Sequence, residues 1–459
     1  MATTDLTPPA VSSSAYRLPD GPKPKPYLGS TLDMARDPLA FLDGLHARYG
    51  PAATIQFLKG QRFVLFFTPA AVKYVLTEHP RNFTSSEFND GLRWLLGEGL
   101  LVLDGETHRQ QRRLVQPAFH KKRIEQYAGI MMEHTEQMLA TWRDGETRDI
   151  ALDLQSVTMR IVAKALFDAD VTDSSQALGA AFNTIARWSS DDPFAWQNLL
   201  KFDLPFLPHG KVLRAARDLN AAIFTLIEER RTHPADRGDV LSMLLDARDE
   251  DGSAMSDQQL RDEVMTLFAA GHETTMNSLC WTFYLLSEYP AVRRKLEEEL
   301  ARVLGGRAPT VDDVPNLVYT DMVIKESMRL FPPAWTIGRR AVADFEVEGF
   351  RLPAGQFFFL PQWVVHRSPE VWGADALVFR PERFDPQRPQ EVPPFGYFPF
   401  GGGPRICIGM PFAQMEARLL LAMIAQRYRL RVQPGFRVVP KPNVTIRPKY
   451  GLKMTLEAV

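Results

Sequence analysis

From Glu106 to Leu304, apolar residues recur at the three-to-four-residue spacing of amphipathic helices, broken at Pro193, Pro205 and Pro208 and again from Thr232 to Gly238. The longest unbroken stretch, Ser256 to Tyr289, holds no proline and predicts a helix on the order of 50 Å long. Ser256 or Asp257 can cap its start, and Pro290 ends it. The next helix stops at Gly305-Gly306, and one from Thr320 to Phe331 stops at Pro332-Pro333. Upstream, Pro38–Tyr49 and Pro69–Glu78 read as helices, with Asp37 and Pro38 at the start of the first. Ala53–Phe57 and Arg62–Phe67 read as a hairpin around Lys59-Gly60. Asn82–Leu103 follows neither period and combines Phe88, Trp94, Leu95 and Leu96 with several glycines, the pattern of an irregular pocket wall. Beyond Pro333 the period changes to two, in Phe345–Val347, Gln356–Leu360 and the tail from Leu430. These elements predict a mainly helical α+β protein with a smaller β-rich region and no internal repeat.

The 459 residues are 45% hydrophobic and 24% charged, enough for a large core, and the net charge of -1 selects neither nucleic acid nor an anionic surface. Two cysteines, Cys280 and Cys407, exclude a disulfide scaffold and fit a reducing, cytoplasmic setting. Cys280 lies in an apolar helical run, as a core residue would. Met1–Pro26 is proline-rich and polar, unlike a signal peptide or a membrane anchor. The expected organisation is a flexible tail, 1–17, and one domain, 18–459.

Cys407 is the most telling residue. It stands in Phe400-Gly401-Gly402-Gly403-Pro404-Arg405-Ile406-Cys407-Ile408-Gly409, just before an apolar helix from Pro411. Backbone N–H groups of Ile408 and Gly409 at a helix start can favour a thiolate. Glycines would admit a flat cofactor to the main chain, and Arg405 could pair with its carboxylate. Midway along the long helix lies Ala270-Gly271-His272-Glu273-Thr274-Thr275. Bare positions at Ala270 and Gly271 would leave room for a ring and a diatomic ligand. Thr274 can bond back to the Ala270 carbonyl, and Glu273 beside it can relay protons. Glu326 and Arg329 share a helix face, and Arg383 follows in Phe379-Arg380-Pro381-Glu382-Arg383-Phe384. His108 and Arg112, four apart in Gly105–Arg113, can reach one anion together.

Taken in this order, the motifs resemble the cytochromes P450, over roughly Leu18 to the C-terminus. The resemblance implies haem b held by the Cys407 thiolate, with Phe400 and Gly409 in the ligand loop. It implies propionate contacts from His108, Arg112, Arg339 and Arg405, and a distal surface at Ala270 and Gly271. Glu273 and Thr274 become the catalytic pair, and Glu326, Arg329 and Arg383 a structural brace. Pocket-lining segments of the family map onto Phe88, Trp94, Leu95, Leu96, Leu267, Phe268, Trp335, Ile337 and Leu452, a lining suited to a fatty acid, terpenoid or steroid. The implied reaction is hydroxylation with O2 and two electrons by a monomeric enzyme. With no flavin or ferredoxin domain in the chain, a separate ferredoxin or flavodoxin and its reductase would supply the electrons. Arg109, Arg113, Lys121, Lys122 and Arg123 could face such an acidic partner. Two alternatives are a peroxide-driven or isomerising haem-thiolate enzyme and a non-enzymatic haem sensor; the intact Glu273–Thr274 pair favours the monooxygenase.

Overall fold

The computed structural model describes residues 16–168, 208–233 and 237–459. Most of the expected tail, and the stretch around Pro193 and Pro205, lie outside them. Tyr16 and Arg17, expected in the tail, are instead tied down. Tyr16 donates to Asp344 at 2.9 Å, and Arg17 exchanges main-chain hydrogen bonds with Arg351.

The principal helices are α1 (Pro38–Tyr49), α2 (Gly105–Val115), α3 (Lys121–Leu139), α4 (Ile150–Phe167), α5 (Pro208–Thr232), α6 (Val240–Asp246), α7 (Asp257–Glu288), α8 (Pro290–Leu304), α9 (Val318–Leu330) and α10 (Met410–Arg427). None of the described helices is long and apolar enough to cross a membrane. Local chemistry sets their ends. Asp37 accepts from Ala40 N–H at the start of α1. Ser256 and Gln259 form a reciprocal capping box at the start of α7. Gly305 ends α8 in the left-handed conformation that only glycine adopts cheaply. Helix α9 has no cap of its own. Glu299 of α8 accepts from Tyr319 N–H at 2.6 Å and from Thr320 N–H at 2.8 Å, so the neighbouring helix satisfies its first turn.

The strands are β1 (Ala52–Gln56), β2 (Arg62–Phe66), β3 (Phe83–Thr84), β4 (Thr147–Asp149), β5 (Ile337–Ala341), β6 (Phe345–Val347), β7 (Phe350–Leu352), β8 (Phe357–Leu360), β9 (Tyr428–Val432), β10 (Pro440–Pro442), β11 (Ile446–Pro448) and β12 (Lys453–Ala458). The largest sheet runs β1-β2-β8-β5-β3, with β2–β8 its parallel pair. The expected hairpin pairs Gln56 with Arg62. Pro69–Glu78 begins as a helix but widens into a π turn at Tyr74–Glu78. The main core gathers around α7, whose side chains from Leu260 to Phe268 are all buried.

A buried charge network fastens α9 to the chain that follows it. Glu326, Arg329 and Arg383 have no accessible side-chain surface. Arg329 holds both Glu326 oxygens, at 2.7 and 2.8 Å. It also donates to the carbonyls of His366 and Ala376. Arg383 reaches Glu326 at 3.3 Å and the Trp372 and Asp375 carbonyls. Glu326 and Arg329 share a helix face, as their spacing predicted, and Arg383 joins them, as the resemblance implied. Nearby, His366 accepts from Phe398 N–H at 2.9 Å, two residues before the cysteine loop. Burial and Arg329 push this imidazole down to about 3, so it stays neutral and can accept. Glu326→Ala should cost about 3–5 kcal/mol, because it leaves the buried Arg329 guanidinium without a carboxylate, whereas Arg383 keeps Asp375 at 2.9 Å. Urea unfolding would measure the loss; an unchanged midpoint would show the brace to be dispensable.

Candidate active site

The cysteine loop runs from Phe400 into α10. Cys407 N–H donates to the Phe400 carbonyl at 2.9 Å. The N–H groups aimed at the sulfur belong to Gly409 and Met410, one residue later than expected, because the helix starts at Met410. Burial raises the thiol above its ordinary range, and Gly409, Arg112 and Met410 pull it back only in part. A metal ion would reverse that balance, since a coordinating thiol is deprotonated outright. Cys407 is deeply surrounded yet has exposed surface, which marks it as the lining of a recess rather than a buried core residue.

The glycines do a different job from the one expected. A Cβ on Gly403 would overlap the Leu76 carbonyl of the π turn, and one on Gly402 would meet the Phe395 ring at 2.5 Å. Both are bare to fit protein, not cofactor. Gly401, at φ +74°, and Gly409 have open sides: a Cβ there would meet nothing nearer than Ile337 at 3.8 Å or Phe119 at 3.9 Å.

Three guanidinium groups and one imidazole converge beside this loop. His108 and Arg112 come from α2, Arg339 from β5 and Arg405 from the loop itself. Arg405 bonds Asp104 at 2.8 Å and the Leu103 carbonyl at 2.7 Å. Burial, then Arg405 and Arg112, push His108 down to about 4, so it is neutral. Burial and Arg405 bring Arg339 down to about 10. Arg112 has no carboxylate partner among the described residues. Among the described residues Asp104 is the carboxylate that acts on the cluster, so three guanidinium groups leave two positive charges in excess there. That surplus fits the two propionates of the expected haem. Arg340, the neighbour of Arg339 on β5, is drawn off by Glu87 at 3.0 Å.

On α7, Ala270 is exposed although the helix before it is buried, so it too opens on a recess. Gly271 does not. A Cβ there would press on Val162 of α4 at 3.1 Å, so its bareness serves helix packing and not the cofactor. Thr274 donates to the Ala270 carbonyl at 3.0 Å, as expected, and α7 continues through it. Glu273 accepts from Thr445 at 2.6 Å, a partner the sequence did not suggest.

The expected pocket residues divide. Ile337 touches the loop at Gly401; Trp94, Phe88 and Trp335 keep accessible surface. Phe88 also wedges among Phe63, Phe357 and Phe359. Leu95, Leu96 and Leu267 are almost fully buried. Phe268 packs on Phe167 and His272 in the core, and Leu452 is fully buried beside Ile150. Neither can line an open cavity. The segment that returns to α7 is instead the β10–β11 tip at Thr445. The glycines before Leu100 seat the loop on α7: a Cβ on Gly97 or Gly99 would strike Asp262 or Thr266. Glu98 N–H and Leu100 N–H donate to Asp262 and Glu263.

A family model described as Cytochrome P450 matches residues 19–455. The chain is 37% identical to cyclooctatin synthase of Streptomyces melanosporofaciens over 92% of each. It is 34% identical to pentalenene oxygenase of Streptomyces avermitilis over 98% of this chain and 99% of that one. It is 36% identical to cyclooctat-9-en-7-ol 5-monooxygenase of Streptomyces melanosporofaciens over 93% of each. Among solved structures, retinoic acid-bound cyanobacterial CYP120A1 matches with a TM-score of 0.86 and 27% identity, over 97% of this chain and 100% of that one.

Arg112→Ala should speed haem transfer to apomyoglobin by roughly 10–100-fold, the worth of one charge-assisted hydrogen bond. Arg113→Ala, whose side chain pairs with Asp249 and Glu250, should leave it unchanged. A second outcome concerns pH. Burial raises Glu263 from 4.5 to about 8. A carboxyl with a higher pKa folded than unfolded stabilises the fold fully below 4.5, and that contribution is lost as the pH climbs through about 8. Unfolding midpoints should therefore fall over this window, and Glu263→Gln should flatten the slope.

Proposed function

The chain belongs to the cytochrome P450 family, and from that premise we propose that it hydroxylates a cyclic terpenoid. It is a monooxygenase that binds haem b through a cysteine thiolate. The observation that carries the substrate reading is the near full-length similarity to three oxygenases named for cyclooctatin, pentalenene and cyclooctat-9-en-7-ol. One oxygen atom of O2 enters a C–H bond and the other leaves as water, using two electrons and two protons. A separate ferredoxin or flavodoxin with its reductase supplies the electrons, in the cytoplasm. The basic surface for that partner is narrower than expected, since Arg109 pairs with Glu106, Arg113 with Asp249 and Glu250, and Lys121 with Glu125.

Haem supplies the redox chemistry, and its thiolate ligand favours O–O cleavage. Every other task falls to side chains. Cys407 would ligate the iron, with Gly409 and Met410 N–H groups oriented on its sulfur. Arg112, Arg339, Arg405 and neutral His108 would hold the propionates. Ala270 keeps the distal side clear. Thr274 spends its proton on the Ala270 carbonyl, which leaves its oxygen free to accept from water. Glu273, half-buried one residue earlier, passes protons toward that oxygen. The acid–hydroxyl pair favours O2 with electrons over a peroxide-driven reaction.

Spectral titration tests the substrate class. Pentalenene and cyclooctat-9-en-7-ol should shift the iron to high spin with Kd values roughly tenfold below those of dodecanoic acid and progesterone; the opposite ranking would refute the terpenoid reading. Thr274→Ala should lower product formed per NADH by roughly tenfold, with the electrons recovered as hydrogen peroxide. Cys407→Ser should abolish the thiolate band of the reduced CO complex.

A further inference from the structure

We infer that Thr445, at the tip of the β10–β11 hairpin, is a positioning residue for the proton-delivering acid, Glu273. The inference rests on the reading of Glu273 given above. Thr445 is buried, and its hydroxyl donates to Glu273 Oε1 at 2.6 Å, within the short range of charge-assisted bonds. Asn277 fixes the direction of that bond. Its Nδ2 donates to the Thr445 hydroxyl oxygen at 2.9 Å, which leaves the single hydroxyl proton for Glu273. Asn277 lies four residues after Glu273, on the same helical face, so the Thr445 hydroxyl bridges the two.

The arrangement gives the two carboxyl oxygens separate tasks. Oε1 is anchored by Thr445. Oε2 takes a proton from solvent water and hands it, through water, toward Thr274. Without the anchor a glutamate has three free torsions and no fixed place beside Thr274. The hairpin does not need this hydroxyl to stay docked. Trp335 donates to the Asn443 carbonyl at 2.8 Å, Ile446 N–H to the Pro333 carbonyl at 3.0 Å, and Trp281 to the Ile446 carbonyl at 3.0 Å. Removing the hydroxyl therefore frees the acid while the wall stays in place.

The test compares Thr445→Val, Thr445→Ser and Glu273→Gln holoproteins, using the compound that gives the largest spin shift in the titration above. Thr445→Val should keep the Kd within twofold and lower product per NADH by roughly tenfold, the loss expected for one bond to a charged group. Its solvent isotope effect should rise, Thr445→Ser should restore both, and conversion driven by added hydrogen peroxide should be unchanged. Wild-type coupling in Thr445→Val alongside lost coupling in Glu273→Gln would overturn the positioning role and leave the acid's role standing. Wild-type coupling in Glu273→Gln would overturn both. An equal loss of peroxide-driven conversion would reduce Thr445 to a structural residue. A crystal structure of Thr445→Val settles the geometry without substrate: a Glu273 carboxylate that has not moved refutes the inference.

Discussion

One carboxylate shared by two buried guanidinium groups underlies the rest of the structure. Glu326 lies in α9, while Arg383 and the carbonyls that Arg329 bonds belong to the segment leading toward the cysteine loop. Buried ions are costly, and this network is tolerable because its donors find acceptors: both Glu326 oxygens, the carbonyls of His366, Ala376, Trp372 and Asp375, the Asp375 carboxylate and the Gln390 side chain. A hydrophobic contact would tolerate sliding. A fork of hydrogen bonds to carbonyls does not, so the segment before Phe398 arrives at one position. His366 then continues the same logic by holding Phe398 N–H.

The recess that this framework supports has an electrostatic character of its own. The Cys407 thiol is held above its ordinary range, His108 is held neutral, and positive charge is in excess. Each is unfavourable for a protein alone. Each becomes favourable with a dianionic ring that brings a metal ion to the sulfur and carboxylates to the arginines. Binding strength is thus stored as unmet demand in the side chains.

Much of this was legible in the sequence, and what was not has a common cause. Helical period located α7, and short motifs located Cys407, Thr274, Arg112 and the Glu326 network, because each depends on spacing within one element or on one unusual loop. Spacing does not say what a bare position faces. Gly271 read as cofactor clearance and faces Val162; Gly402 and Gly403 face Phe395 and Leu76. Leu452 read as pocket wall because a pocket-lining segment of the family maps onto it; it is fully buried, and the β10–β11 tip at Thr445 is what meets α7. Thr445 and Glu299 carry no local signal, since their partners lie far away in the chain.

That remoteness has a kinetic consequence. Arg405 bonds the carbonyl of Leu103, 302 positions away, and Thr445 bonds Glu273, 172 positions away. Closing such loops costs entropy before any contact offsets it, and α7 too packs mainly on α4, about a hundred positions earlier. Those closures set the walls of the recess at long loop cost. A haem seated among Arg405, Arg112 and Arg339 would therefore tie together segments about three hundred positions apart.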